Sequence, residues 1–238
     1  MGNGSGKRQI LFAGFSICYL LSTAINAQAE DGRIYLNTHS LSGAIKVKSW
    51  KALRDERVVK QDLDYSCGAA SLATVLNEHY GQAVTEQDLL RAMDAGDFVS
   101  SFEDMRRAVA QFGFLAAGFA VSYDQLTKLK LPAIVYLKYR KDDHFSVLRG
   151  VDGKTVWLAD PSLGNRTTYS RWQFLDMWDT RTGATENAEL KGKILLVFPA
   201  DGKARSPSDF FTKTPRRQTA LAVQRLRALP DRIQASMR

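Results

Sequence analysis

The sequence of 238 residues predicts an α+β domain built on an antiparallel sheet. Helical patterns dominate up to about residue 130, and most strand patterns, rich in β-branched and aromatic residues, come later. An Asp-Gly pair between two of those strands predicts a hairpin, and therefore antiparallel pairing. A βαβ alternation, which would indicate a parallel sheet, is absent from the sequence.

The predicted helices have recognisable ends. The first one begins at Cys67 and ends before Gly81, a typical C-cap. Thr85 N-caps the second, with Asp88 near the capping-box position, and Ser101 caps the third. The predicted helices are Cys67–Tyr80, a helix after Thr85, Phe102–Phe112, Tyr123–Lys130 and Arg171–Trp178.

The predicted strands lie mostly in the second half of the chain. Residues 33–60 mix short β-like pieces with charged turns, and they give no clear pattern. The predicted strands are Phe114–Val121, Ala133–Tyr139, His144–Val151, Thr155–Asp160 and Lys193–Phe198.

The first 29 residues have the pattern of a removable secretory signal peptide. Lys7 and Arg8 precede an apolar run, and Ala27-Gln28-Ala29 forms an A-x-A cleavage site. An uncleaved membrane anchor is the alternative, but the run is short for a span of about 20 residues. We therefore predict cleavage after Ala29 and a periplasmic protein, with secretion as the alternative. Cys67 would then be the only cysteine of the mature chain.

The formal net charge of +8 belongs to the two ends of the chain. Residues 1–29 carry two basic residues, residues 201–238 carry nine Lys or Arg against three Asp, and residues 30–200 carry 22 of each sign. A neutral central region gives no reason to expect nucleic-acid binding. In the basic tail, apolar residues at helical spacing predict a short amphipathic helix that docks on the domain, a membrane surface or a secretion-system partner. A solvated tail is the alternative; the apolar positions are Ala222, Leu226, Leu229 and Ile233.

Cys67 is the candidate nucleophile. It stands at the start of a predicted helix, where free N–H groups and the helix dipole favour a thiolate. Gly68 would let a substrate carbonyl approach the backbone, and the amide of Gln61, six residues upstream, could turn towards the same oxygen. A nucleophile with two N–H donors forms the core of an acyl-transfer site. The alternative is a small buried cysteine on an apolar helix.

A thiolate site needs a base, and the chain has three histidines. His79 lies on the same helix, about 18 Å from Cys67, and is excluded by that distance. His39 lies in the region without a clear pattern and stays open. His144 begins a strand after a polar run and is the best candidate, although a structural histidine is the alternative.

Asp160 ends the strand that pairs with the one His144 begins. A turn with Gly153 in a G1 bulge would place both side chains on one face, whereas a plain two-residue turn would place them on opposite faces. A catalytic pair therefore requires that bulged turn or a bulge elsewhere in the ladder. Asp160 would then orient the imidazole, unless Asp160-Pro161 only starts a turn.

Four sequence segments together resemble the bacteriocin-processing cysteine peptidases, the papain-like domains that cleave double-glycine leader peptides in ABC exporters. The resemblance covers roughly residues 55–200, and its segments are QDLDYSCGAASLATVLNEHYG, HFSVL, LADPSLG and WQFLDMW. It implies a papain-like α+β fold with N-terminal helices packed on an antiparallel sheet. It also implies a Cys67, His144 and Asp160 triad, with Gln61 in the oxyanion hole.

The layout is closer to stand-alone periplasmic members of that family, such as those that accompany functional-amyloid secretion systems. It implies an exported cysteine endopeptidase, monomeric and without metal or cofactor, that cleaves a co-exported protein or leader peptide after small or Gly residues. A non-catalytic peptide-binding module or secretion chaperone is the alternative, and a cell-wall amidase is a third interpretation. The predicted division is a signal peptide at 1–29, an extension at 30–54, a papain-like peptidase domain at 55–200 and a basic tail at 201–238.

Overall fold

The computed structural model describes residues 32–38, 41–94, 100–139, 142–180, 190–203 and 208–212. The predicted signal peptide, His39 and the predicted tail helix lie outside these residues. In the part of the chain that is described, no helix is long and apolar enough to cross a membrane.

Six helices are described, and most begin at a residue whose side chain caps the first turn. Thr85 forms the predicted capping box with Asp88, and Ser101, predicted as a cap, also forms a capping box, with Asp104. Gly81 follows the helix that begins at Cys67 and adopts the left-handed conformation at φ 67°, which confirms the predicted C-cap. The helices are α1 (Trp50–Asp55), α2 (Cys67–Tyr80), α3 (Glu86–Met93), α4 (Phe102–Ala110), α5 (Tyr123–Leu126) and α6 (Arg171–Trp178).

In the described part of the chain, eight strands form two antiparallel sheets. The smaller sheet is a hairpin of β1 (Gly32–Thr38) and β2 (Leu41–Val47), in the region that has no clear sequence pattern. The larger sheet has the strand order β3-β8-β4-β5-β6-β7, with every neighbouring pair antiparallel. Its strands are β3 (Phe114–Val121), β4 (Ala133–Tyr139), β5 (Asp142–Val151), β6 (Thr155–Asp160), β7 (Gly164–Ser170) and β8 (Gly192–Pro199).

Helices cover both faces of the larger sheet, which confirms the α+β prediction. One core packs α2, α3 and α4 against one face, and it includes Phe145 and Val147 of β5. The second core packs α5 and α6 against the other face, and it includes Leu148 and Val151. Side chains on the two faces of β5 enter different cores, so both faces of the strand are buried. This explains why β5 is apolar nearly throughout.

Most predicted elements lie where the sequence places them, with ends that differ by a few residues. The predicted helix 102–112 ends at residue 110, and the predicted helix 123–130 ends at residue 126. Hydrogen-bonded turns follow each helix, and they account for the longer predicted lengths. Strand β7 and helix α1 had no prediction. Strand β7 has a polar sequence because it is an edge strand, and edge strands need little apolar surface.

The β5–β6 hairpin contains a bulge, but the bulge is not at the turn. Val151 pairs with Val156, and the turn closes through the Asp152 N–H to Thr155 O hydrogen bond (2.9 Å). Gly153 lacks the positive φ that a G1 bulge requires, so the predicted Gly153 bulge is wrong. The register instead shifts between Leu148 and Gly150, at the second of the two predicted kinds of position.

Candidate active site

Cys67 is the first residue of α2 and is 2% exposed. Ser66, which precedes it, makes no side-chain cap on the helix. Its hydroxyl donates instead to Leu63 O (2.7 Å) and accepts from the Leu63 N–H (3.2 Å). The first-turn N–H groups of α2 are therefore left without a side-chain cap beside the sulfur, where they favour negative charge.

The loop before Cys67 is anchored on α3. The N–H of Asp62 donates to both carboxylate oxygens of Glu86 (3.1 and 3.2 Å), and Glu86 is only 2% exposed. Gln87 donates from its side-chain amide to Asp62 (2.8 Å). On the other side, the backbone N–H of Gln61 donates to Pro161 O (3.2 Å), in the turn that follows Asp160. The loop thus ties the nucleophile helix to the end of β6.

Gln61 lies at the edge of the site, with its amide turned into its own loop. The Nε2 group donates to Leu63 O (3.0 Å) and more weakly to Asp64 O (3.4 Å). The amide oxygen is buried and has no hydrogen-bond partner among the described residues. This arrangement places a side-chain N–H donor close to α2, but its role towards an oxyanion stays a prediction.

Gly68 has a packing role that its sequence did not suggest. A Cβ at this position would lie 2.6 Å from Met105 Cε and 2.9 Å from Ser100 Cβ. These side chains, together with Phe145, fill the space beside Gly68. The glycine therefore allows α2 to pack closely on α4 and β5, whereas the approach of a substrate carbonyl to its backbone stays a prediction.

His144 and Asp160 meet on one face of the β5–β6 hairpin. His144 Nε2 lies 2.8 Å from Asp160 Oδ2, and the side chains are 19% and 3% exposed. The other oxygen, Oδ1, accepts the N–H groups of Ser162 and Leu163 at 2.9 Å each. Both oxygens of Asp160 are thereby used, and the ring of His144 is held by one nitrogen, which leaves Nδ1 for Cys67.

The charges of this group support one another. Burial opposes a charged His144, but its hydrogen bonds with Asp160 and Cys67, and the charges of both, raise the pKa of His144 to about 10. Burial likewise opposes a charged Asp160, but His144 and the N–H groups of Leu163 and Ser162 hold the pKa of this carboxyl below its usual value. An imidazolium beside a carboxylate is therefore the state that the site favours at neutral pH.

A cleft of about 680 Å³ opens at His144 and Asp160. Gln61 lines one side of it, and Tyr139, Tyr169 and Met177 line another. A second cleft of about 680 Å³ shares those last three residues, and a third of about 390 Å³ shares Asp143 with the first. The three clefts adjoin through these shared residues, and we call them together the groove. Gln61, His144 and Asp160 line its first cleft, and Cys67 does not line it.

Two features of this site had weak signals or none in the sequence. Glu86 is an ordinary acidic residue in the first turn of a helix, and only the fold shows that it is buried against the loop of Asp62. The N–H groups after Asp160 have a signal, because Asp-Pro-Ser is a typical start of an Asx turn. In the sequence, a turn at Asp160 was the alternative to its pairing with His144, but the same carboxylate accepts the turn N–H groups and bonds to His144.

The remaining histidines have other positions. His79 lies in the last turn of α2, half-buried against Tyr80, and burial lowers its pKa. His39 is outside the described residues. Within the described ranges, no group of three or more His, Cys, Asp or Glu side chains is placed to hold a metal ion.

Comparisons with known proteins agree with the geometry. The chain matches the Peptidase C39 family over residues 55–189. A probable functional amyloid protease, FapD, from Pseudomonas aeruginosa is 34% identical over 180 residues, covering 71% of this chain and 79% of that protein. The lactococcin-G-processing and transport ATP-binding protein LagD from Lactococcus lactis is 30% identical over 123 residues, only 17% of its length.

A solved structure supports the fold. The peptidase domain of Streptococcus ComA, a bifunctional ABC transporter, aligns with a TM-score of 0.50 at 20% identity, covering 60% of this chain and 97% of that domain. The papain-like fold that the resemblance implied is thereby confirmed. The match over residues 55–189 spans more than half of the sequence and contains Cys67, His144 and Asp160. This chain belongs to the Peptidase C39 family and is a cysteine peptidase.

Proposed function

We propose that Cys67, His144 and Asp160 form the catalytic triad of an exported endopeptidase. The single observation that carries this proposal is the His144–Asp160 hydrogen bond of 2.8 Å; Cys67 is a second hydrogen-bond partner of the same imidazole. A carboxylate on Nε2 fixes the orientation of the imidazole and stabilises its positive charge. The other nitrogen then exchanges a proton with the thiol.

The reaction follows from these positions. His144 takes the proton of Cys67, and the sulfur attacks the substrate carbonyl carbon to form a C–S bond. The backbone N–H of Cys67 and the amide of Gln61 stabilise the oxyanion. When the C–N bond breaks, His144 gives its proton to the leaving amine. Water then hydrolyses the thioester, with His144 as the base, and the thiol is restored.

The groove supports an extended peptide as the substrate. Cys67 is 2% exposed, so a chain with small residues beside the scissile bond reaches the sulfur more easily than a bulky one. This favours cleavage after Gly or another small residue. The similarity to a functional amyloid protease supports a co-exported, amyloid-forming protein as the substrate class. The A-x-A site at Ala29 supports export to the periplasm.

The test follows candidate exported proteins by terminal-peptide mass spectrometry in cells that express the full chain. The wild type should generate new termini after small residues, and Cys67→Ala should generate none. Cys18→Ala is the matched control, because it removes the other cysteine and should leave processing unchanged. Equal processing by wild type and Cys67→Ala would refute the proposal and favour a peptide-binding module. The N-terminus of the mature protein tests cleavage after Ala29 in the same samples.

A further inference from the structure

The bulge at Arg149 decides whether His144 can meet Asp160. Between the bulge and the turn, Gly150 pairs with Trp157, whereas beyond the bulge Leu148 pairs with Leu158. If the Gly150–Trp157 register continued along the strand without a bulge, residue 160 would pair with residue 147. His144 would then point to the face opposite Asp160. The one extra residue brings His144 and Asp160 onto the same face.

A short segment near the C-terminus covers this bulge. Residues 208–212, which we call the strap, lie after the last strand, beyond the predicted domain end at residue 200. The N–H of Thr212 donates to Arg149 O (2.7 Å), the carbonyl of the bulged residue. A Cβ on Gly150 would lie 2.3 Å from Thr212 O, so the strap depends on a glycine there to approach the strand so closely.

Phe210 of the strap also fixes the side chain of Arg149. Arg149 is 4% exposed, and its guanidinium lies 4.5 Å from the ring centres of both Trp157 and Phe210. Its Nε donates to Phe210 O (3.3 Å). Burial lowers the pKa of Arg149 to about 10, so the strap supplies contacts that a buried cation requires.

The strap is itself held at its start. Ser208 donates from its hydroxyl to Glu78 O (2.6 Å), at the end of α2. Arg57 bridges the carboxylates of Glu78 (2.7 Å) and Asp209 (2.8 Å). Phe210 is fully buried as a result, and the strap connects the nucleophile helix to the bulge.

We propose that the strap is a positioning element of the active site, with Phe210 and Arg149 as positioning residues that fix the bulge and thereby the face on which His144 meets Asp160. This inference rests on the proposed roles of Cys67, His144 and Asp160. A bulge in an antiparallel ladder leaves one residue unpaired. The strap bonds the carbonyl and the Nε group of that residue, although its buried Nη1 has no partner among the described residues. These bonds oppose slippage of the bulge along β5, which would turn His144 away from Asp160.

The experiment compares Phe210→Ala with Phe114→Ala in the full chain. Both phenylalanines are buried, but Phe114 is on β3, at the opposite edge of the sheet from the hairpin. The readout is the rate of Cys67 alkylation by iodoacetamide at pH 6 and pH 9.5, quantified on the Cys67 peptide by mass spectrometry. Thermal unfolding is measured in parallel to confirm that each sample is folded.

An unassisted thiol with a pKa of about 8.5 is less than about 1% thiolate at pH 6. In the wild type, the imidazolium should keep the pH 6 rate within about tenfold of the pH 9.5 rate. Phe210→Ala should lower the ratio of the pH 6 rate to the pH 9.5 rate at least about tenfold below the wild-type ratio. Phe114→Ala should lower the unfolding temperature and leave this ratio unchanged. Phe210→Leu, which keeps apolar burial but loses the ring, should give a smaller decrease.

Three results are informative in different ways. If Phe210→Ala and Phe210→Leu have the wild-type ratio, the strap only stabilises the fold and the inference is wrong. If Phe210→Ala does not fold, Phe210→Leu alone decides between the two. If the wild type itself does not react at pH 6, the proposed function fails, and the strap proposal fails with it.

Discussion

Replacing Asp160 by asparagine should break one of two connections in the active site, the one to His144 or the one to the following turn. The reason is that both carboxylate oxygens of Asp160 accept hydrogen bonds. One binds His144 Nε2 at 2.8 Å, and the other binds the N–H groups of Ser162 and Leu163 at 2.9 Å. An amide has only one oxygen, so it can serve the ring or the backbone, but not both. Since Asp160 is 2% exposed, the unmade bond should lower the free energy of unfolding by about 1–3 kcal/mol.

The effect on the chemistry should be larger. The carboxylate helps raise the pKa of His144 to about 10, and without it this pKa should fall towards the ordinary value near 6.5. The imidazolium fraction at pH 8 would then drop from nearly all molecules to below about a tenth. Loss of the orienting group in a triad costs about 10⁴-fold in kcat in the best-studied case. We expect a decrease of about 10²–10⁴-fold in kcat/KM.

The assay measures kcat/KM on a fluorogenic peptide between pH 5 and 10. In the wild type, activity should persist until the pH approaches 10, whereas Asp160→Asn should lose its remaining activity at lower pH. Asp152→Asn is the matched control. Asp152 also accepts two backbone N–H groups (2.7 Å each) in the same hairpin, but it does so at the turn. Both bonds go to Oδ1, an acceptor that an amide keeps, so Asp152→Asn should cost little stability and leave kcat/KM and the pH profile unchanged.

The pH dependence of the unfolding free energy independently tests the direction of the Asp160 pKa shift. The pKa of Asp160 is lowered in the folded chain, so its contribution is present above about pH 4 and is lost as the pH falls further. The difference in unfolding free energy between wild type and Asp160→Asn should therefore shrink from pH 5 towards pH 2. A variant with unchanged kcat/KM and an unchanged pH profile would refute the role of Asp160.

Two further predictions concern the surroundings of Cys67. Gly68→Ala should lower the free energy of unfolding by about 1–3 kcal/mol, because the new Cβ overlaps Met105. Adding Met105→Ala in the same chain should restore part of that loss, as measured by urea denaturation. Glu86→Ala should release the N–H of Asp62 and lower kcat more than it raises KM, since the loop before Cys67 loses its anchor; steady-state kinetics with an unchanged kcat would contradict this.

The elements themselves could be predicted because their signals are local. The capping boxes at Thr85 and Ser101 and the C-cap at Gly81 each depend on a few neighbouring residues, and the structure has them as predicted. The β-branched and aromatic residues that mark β5 and β6 are a local signal as well. The β1–β2 hairpin and β7 were missed because their sequences are short, polar or mixed, and their pairing partners decide their conformation.

The sequence by itself singled out the side chains that we propose carry the chemistry. A cysteine at a helix start, with a histidine and an aspartate on paired strands, is a pattern of residue types and spacings. The sequence also limited the hairpin to two solutions, because a bulge somewhere was needed to bring His144 and Asp160 to one face. It could not choose between these solutions, since the residues at the turn were compatible with both.

Only the tertiary structure decided that the bulge lies at Arg149. Its backbone carbonyl and its Nε group are both bonded by residues 208–212, more than fifty positions further along the chain, and Phe210 packs on its guanidinium. The same holds for Glu86 and for Gly68, whose roles depend on Asp62 and on Met105 across a packed interface. Local patterns specify elements and reactive groups, whereas register and burial depend on contacts between segments that are distant in sequence.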